Sequence, residues 1–402
     1  MRSITFTSLI AVGLALGGCQ SDIATVADAA LRAAPGYPVM QPSDVSQPTS
    51  PSRPSEPSRP TPPTTPRVEN VAEKPACDAD MQAKLRAPGP NAVTLACSLR
   101  LSSSDVITHP LVFEGSAASG SVLDCGGGTL DVSAGQSRKQ KTAIAVRSRK
   151  TAAGAWDAPS GVTIRNCRIK GFVRLYGLGE NANGETMKAS SRSRDHTAFA
   201  QASAPKNVRL ENVTFEAPDG IPFYVGPGVT NAALVNSRVN GRSTAVAVYL
   251  DAESANNTIS NNVFGLATEK RELIAIDGSA GNRIANNTFE HADNGGVFVY
   301  RNCGEGGVIR HQKPQFNQIV GNTFRYGSSF FAKPAVWLNS RNGSSSYCFK
   351  DPAYPFGSSA SNLDFAEHNV VRNNRLDGGS ASLIRNDDPT NEVSGNTARG
   401  GW

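Results

Sequence analysis

Beyond its first 18 residues, this 402-residue chain has no run approaching the roughly 18 apolar residues that a membrane helix needs. Nothing after that point is expected to span a bilayer. It has seven cysteines but no CxxC spacing and no cysteine–histidine cluster, which argues against a metal site. Helical periodicity is also missing, so a helical bundle is not expected. Charge of one sign is scarce before residue 76, where six basic residues meet six acidic ones, and the formal net charge of +6 belongs wholly to residues 76–402. That excess favours an anionic polymer or an anionic surface as a partner.

The ends are informative. MRSITFTSLIAVGLALGG, residues 1–18, has one arginine, an apolar run and then small residues, the pattern of an export signal. It runs into Leu16-Gly17-Gly18-Cys19, which resembles the lipoprotein box of bacteria. The resemblance implies a lipid on Cys19 and a bacterial cell-envelope location, at the periplasmic face or the outer membrane. Residues 19–75 form a spacer. Between Pro35 and Pro75 lie 12 of the 25 prolines, mixed with Ser, Thr and Arg, a composition that cannot bury a core and favours extended chain. One folded domain is expected over residues 76–402. For an exported domain, nucleic acid is not an expected partner.

Six cysteines remain: Cys77, Cys97, Cys125, Cys167, Cys303 and Cys348. An even set in an exported protein points to disulfides. Sequence alone leaves the connectivity open, and nearest-neighbour pairing, 77–97, 125–167 and 303–348, is the expectation.

Internal repeats name the architecture. TIRNCRI (163–169), RLENVTF (209–215), ALVNSRV (233–239), TISNNVF (258–264), RIANNTF (283–289), QIVGNTF (318–324), VVRNNRL (370–376) and EVSGNTA (392–398) align. Successive units from 215 to 289 end 24, 25 and 25 residues apart, and the longer steps fit inserted loops. The apolar positions suit short strands with one face inward, and the Asn-Asn or Gly-Asn pair suits a turn with positive φ. Stacked asparagines can bond as a ladder, so NNTF is expected to be scaffold. A second strand comes after each turn: FVRLYG (172–177), IPFYVG (221–226), VAVYLD (246–251), LIAIDG (273–278), VFVYRN (297–302), AVWLNS (335–340) and SLIRND (382–387). The repeats resemble the all-β, right-handed parallel β-helix family that includes pectate lyases, polygalacturonases and alginate epimerases. The likeness spans roughly residues 105–400 and implies a single solenoid domain acting on carbohydrate.

Equivalent residues on successive coils stack about 4.8 Å apart. Aligning the second strands by their inward apolar residues gives an outward row of Tyr176, Gly226, Asp251, Asp277, Tyr300, Asn339 and Arg385. Two carboxylates fall on neighbouring coils. Glycoside hydrolysis needs such a pair, about 5 to 9.5 Å apart, with one held as acid and the other as base or nucleophile. Asp251 and Asp277 are therefore the candidate pair, with Glu253, Tyr300 and His311 as further catalytic candidates. Tyr249, Arg301, Asn302, Glu305, Arg310, Trp337, Asn339, Arg341 and Arg385 are candidates to hold a polysaccharide, by stacking or by charge. Polygalacturonases are similar in placing aspartates on consecutive coils, but this chain lacks their Asp-Asp pair and Gly-His-Gly. A lyase reading uses the same side chains differently. Asp251, Glu253 and Asp277 would hold Ca²⁺ against a uronate while Tyr300, Arg301 or His311 takes the C5 proton. Otherwise no cofactor is expected. A non-catalytic glycan-binding or envelope-assembly role is the remaining alternative. Cys303 lies inside YRNCGEGGVIRHQ (300–312) and is expected to pin that loop beside the row.

Overall fold

The computed structural model describes residues 71–137, 139–179, 184–327, 331–348 and 350–400. The leader, Cys19 and nearly all of the proline-rich spacer lie outside them. Strands of two to six residues repeat around a parallel β-helix. One parallel sheet runs from Val93–Thr94 to Ile384–Arg385, a second from Leu99–Arg100 to Glu392–Ser394, and a third from Val106–Ile107 to Thr397–Arg399. The strands begin at Val93, two coils before the first aligned repeat, and helix α1 (Ala79–Arg86) sits at that end with Leu85 buried.

Register follows from which residues are apolar. In the second sheet Ile164, Leu210, Leu234, Ile259, Ile284, Ile319 and Val371 form one inward row. In the third, Phe215, Val239, Phe264, Phe289, Phe324 and Leu376 do the same, with stacked rings 4.9 and 4.7 Å apart for Phe264–Phe289 and Phe289–Phe324. Each such side chain contributes about 1.5–3 kcal/mol on burial, and a one-residue slip would turn the whole row outward.

The two asparagines of each NN pair divide the work. The first occupies the corner between the second and third sheets. Asn166, Asn212, Asn236, Asn261, Asn286, Gly321, Asn373 and Gly395 all have φ between 51° and 67°, a region that asparagine and glycine tolerate best. The second asparagine points inward. Asn262, Asn287, Asn322, Asn374 and Asn396 form a chain in which each Nδ2 donates to the next Oδ1 at 2.9–3.0 Å. A parallel chain joins Asn257, Asn282, Asn317, Asn369 and Asn391 at 2.8–3.2 Å. Each Oδ1 also accepts a backbone N–H, so buried turn groups that water cannot reach are satisfied coil by coil.

The expected disulfides are all present: Cys77–Cys97, Cys125–Cys167 and Cys303–Cys348. The three large insertions leave from the ends of first-sheet strands. Helices α2 (Glu185–Ser190) and α3 (His196–Ala202) come after Phe172–Tyr176, a strap over residues 301–317 after Val297–Tyr300, and the segment 339–366 after Val336–Leu338. Because those strands belong to one sheet, the insertions gather at one corner of the helix.

Asn287→Ala strands the amides of Asn262 and the carbonyl of Ile259 in the interior. It is expected to cost about 3–5 kcal/mol in urea unfolding, whereas Asn261→Gly at the corner costs under about 1 kcal/mol. Equal losses would show that the ladder is not what holds the coils.

Candidate functional site

Strand register sets out the outward row. Leu250 pairs with Ile276 and Asp277 with Tyr300, so Asp251, Asp277 and Tyr300 are stacked, with Gly226 before them and Asn339 after. Arg385 is displaced from its expected place. Ile384 pairs with Val336 rather than Leu338, which sets Arg385 opposite Trp337. The last strand has only two residues and comes directly after a 3₁₀ turn, so apolar alignment slipped there by one pleat.

The gathered insertions cover this row. Asp251 and Asp277 are both 0 % exposed. Asp251 receives the Arg310 Nη1 at 3.1 Å, the Tyr224 hydroxyl at 2.5 Å and the Ala252 N–H at 2.8 Å. Arg310 is itself 1 % exposed, so this is a sealed ion pair. Burial pushes the Asp251 carboxyl up to about 6 against the pull of Arg310. Glu253 is equally buried and stands in a left-handed turn, φ 65°. It accepts from Thr197 Oγ1, from the His311 N–H at 2.8 Å and from the Gln312 N–H at 3.3 and 3.2 Å. That carboxylate fastens both helix α3 and the strap to the coil below.

His311 is half-buried and turned away from the row, with Nε2 2.7 Å from the Ser191 carbonyl oxygen and its ring 5.1 Å from that of His196. Arg301 is likewise committed to the cover, donating to the carbonyls of Ser361 and Leu363 at 2.8 Å. Asn339, φ 60°, accepts the Ala366 N–H at 2.7 Å and serves the same segment. Asp364 receives the N–H groups of Arg301, Arg341 and Asn342. Neither Asp364 nor the helical cover carried a sequence signal, since both lie in segments without a repeat.

Asp277 is different, because one of its partners, Tyr249, is only partly buried, while the other, Asn302, is buried but bonded to groups nearer the surface. Its Oδ1 accepts the Asn302 N–H at 2.7 Å; its Oδ2 accepts the Tyr249 hydroxyl at 2.7 Å and the Asn302 side-chain amide. Tyr249 is partly buried. Burial, and then the Asp277 charge, hold its phenol well above the ordinary range, so it is neutral. Asn302 in turn bonds Glu305, 3.0 Å away, and receives the Tyr347 hydroxyl at 2.7 Å and the Arg341 guanidinium. Tyr300 is buried under Arg341, whose Cζ is 3.9 Å from the ring centroid. Its hydroxyl receives Arg271 Nη2 at 3.1 Å, while Arg271 also clamps Glu272 at 2.9 and 2.7 Å. Trp337 extends the floor, edge-on to Phe298 at 5.5 Å with Arg385 4.8 Å over its face.

The accessible part is thus an aromatic floor, Tyr249 to Trp337, rimmed by Arg271, Arg341, Arg385 and one half-exposed carboxylate, Glu305. Arg271 lies just ahead of the LIAIDG strand and was not among the expected site residues. Tyr347 sits in an insertion and had no signal. As a calcium site the acidic residues do not fit. Asp251, Glu253 and Asp277 are each bonded to separate partners, and among the described residues no cluster of three or more His, Cys, Asp or Glu side chains is arranged to hold a metal ion.

Residues 138–331 match a family model described as a right handed beta helix region. The domain is a right-handed parallel β-helix. Among solved structures, this β-helix is similar to endo-xylogalacturonan hydrolase from Aspergillus tubingensis at 11 % identity and a TM-score of 0.37, covering 82 % of this chain and 91 % of that one. It is similar also to the A-module of mannuronan C-5 epimerase AlgE6 from Azotobacter vinelandii, at 14 % identity and a TM-score of 0.28, covering 82 % and 96 %. The chain matches no curated protein.

Helix α3 supplies a titratable fastening. His196 is fully buried, bonded through Nδ1 to Ser190 Oγ at 2.9 Å, and burial holds it below the ordinary histidine range against the Glu253 charge. Protonation is therefore disfavoured while the cover is closed. The cover's stability is full above about pH 6.5 and falls below it, whereas Asp251, raised by burial, acts in the opposite sense. Protection of the amides over residues 185–202, taken relative to the intrinsic exchange rate at each pH, is expected to fall on acidification in the native β-helix and much less in His196→Gln. Equal loss of protection in both would remove His196 from this role.

Proposed function

We propose that this β-helix cleaves a uronate-containing polysaccharide by elimination at the patch over Asp277. The observation that carries the reading is Tyr249, a partly buried residue whose hydroxyl is bonded to a buried carboxylate and whose phenol feels the charges of Arg271 and Arg341. Those guanidiniums suit a sugar carboxylate, by charge and by fork geometry. Neutralising that carboxylate acidifies the C5–H beside it. The Tyr249 oxygen would take the C5 proton while its own proton passes along the 2.7 Å bond to Asp277. The C5–H electron pair becomes the C4–C5 double bond, and the O4 substituent leaves and is protonated from the open, solvent side. Trp337 and Tyr249 would support the sugar rings.

Paired-aspartate hydrolysis is served less well. It needs both carboxylates in contact with the glycosidic centre or its water, and Asp251 and Asp277 have no exposed surface. Asp251 then acts as the anchor of Arg310, and Asp277 as the partner of Tyr249.

Incubation with uronate oligomers is expected to yield products with the ultraviolet absorbance of a conjugated double bond. Tyr249→Phe is expected to lower kcat at least about 100-fold, and Arg341→Ala chiefly to raise KM. New reducing ends without that absorbance would replace elimination by hydrolysis. Binding without any product would make the β-helix a glycan-binding module.

A further inference from the structure

The second sheet carries a feature that the patch over Asp277 does not use. Seven of its outward and corner residues line a cleft of about 350 Å³ with Val320 and Val370 on its floor: Arg283, Asn286, Gln318, Gly321, Arg372, Asn373 and Glu392. That volume is at the small end of ligand pockets. None of these residues belongs to the first sheet or to its cover. We propose that this cleft is a separate binding site for an acidic sugar residue.

The corner row explains why the cleft is there. Asparagine occupies the left-handed corner at Asn212, Asn236, Asn261 and Asn286, and glycine replaces it at Gly321 and again at Gly395. Asparagine would serve the turn and constrain the unfolded chain more. Glycine at 321 removes a side chain from the middle of the wall. A Cβ there would meet Asn286 Oδ1 at 2.6 Å, and one at Gly395 would meet Asn373 Oδ1, so both amides lean over bare backbone. Earlier in the row the corresponding amide is used otherwise, Asn212 Nδ2 donating to Asn166 Oδ1 at 2.8 Å.

The walls fit one ligand chemistry. Among the described residues Arg283 pairs with no carboxylate and donates to the amide oxygen of Gln318, at 2.8 Å. Arg372 pairs loosely with Glu392 at 3.7 Å, both side chains being exposed. Two lightly engaged guanidiniums on coils two apart, about 10 Å from strand to strand, can converge on one carboxylate through their long stems. The carboxamides of Asn286 and Asn373 offer donors and acceptors to ring hydroxyls, and the valine floor takes the apolar face of a pyranose. Choosing a uronate as ligand rests on the reading of the Asp277 patch; the cleft itself does not. A polymer seated here would be held on a face other than the one that cleaves it, which raises its local concentration.

Calorimetric titration with galacturonate, mannuronate and guluronate oligomers tests this, using Tyr249→Phe/Arg341→Ala protein so that the first-sheet patch is disabled. Residual binding is expected to remain. It should fall at least about tenfold in Arg283→Ala/Arg372→Ala. It should fall likewise in Gly321→Asn, which fills the wall with the residue that neighbouring coils already hold there, at unchanged thermal unfolding. Absence of residual binding, insensitivity to both changes, or equal binding of neutral xylose oligomers each overturns the proposal. If the cleft binds but no probe is turned over by the unmodified protein, only the cleavage reading fails.

Discussion

One repeated interaction sets everything else in this molecule: a buried asparagine whose Oδ1 takes both the backbone N–H and the side-chain amide of its counterpart one coil away. It satisfies turn groups that would otherwise be orphaned inside the solenoid. It also locks each coil in register with the next, because a slipped coil would break several such bonds at once. Register then decides which side chains share a row, and so places Asp251 beside Asp277 and Asp277 beside Tyr300.

Repetition was legible and exceptions were not. The period, the parallel strands, a positive-φ turn with an asparagine ladder, and most of the outward row come from residues that recur every coil, whereas which asparagine of a pair takes the corner and which the ladder is visible only in the structure. Arg385 was misplaced where the pattern thins to a two-residue strand. The burial of Asp251 and Asp277 had no sequence signal at all. It depends on contacts such as Arg310 with Asp251, which lie 59 residues apart in segments that do not repeat. A carboxylate on an outward row reads as exposed until the insertions that leave the same corner are folded over it.

That cover changes the chemistry available. A sealed aspartate paired with a sealed arginine is a fastening, costly to break and closed to substrate. A buried aspartate one hydrogen bond from a partly buried tyrosine stays connected toward the surface, and burial together with the aspartate's charge keeps the phenol neutral. Neighbouring members of one row thus take different parts because different loops lie over them. The glycines of the corner row make the same point: a single departure from the repeat opens a cleft that the repeat would have closed.

The most direct measurement is a crystal structure of Tyr249→Phe soaked with a uronate oligomer. The predicted result is a sugar carboxylate between Arg271 and Arg341, with C5 against the edge of the substituted ring and the cover over Asp251 closed. A sugar in direct contact with Asp251, with the strap over residues 301–317 displaced, would contradict it.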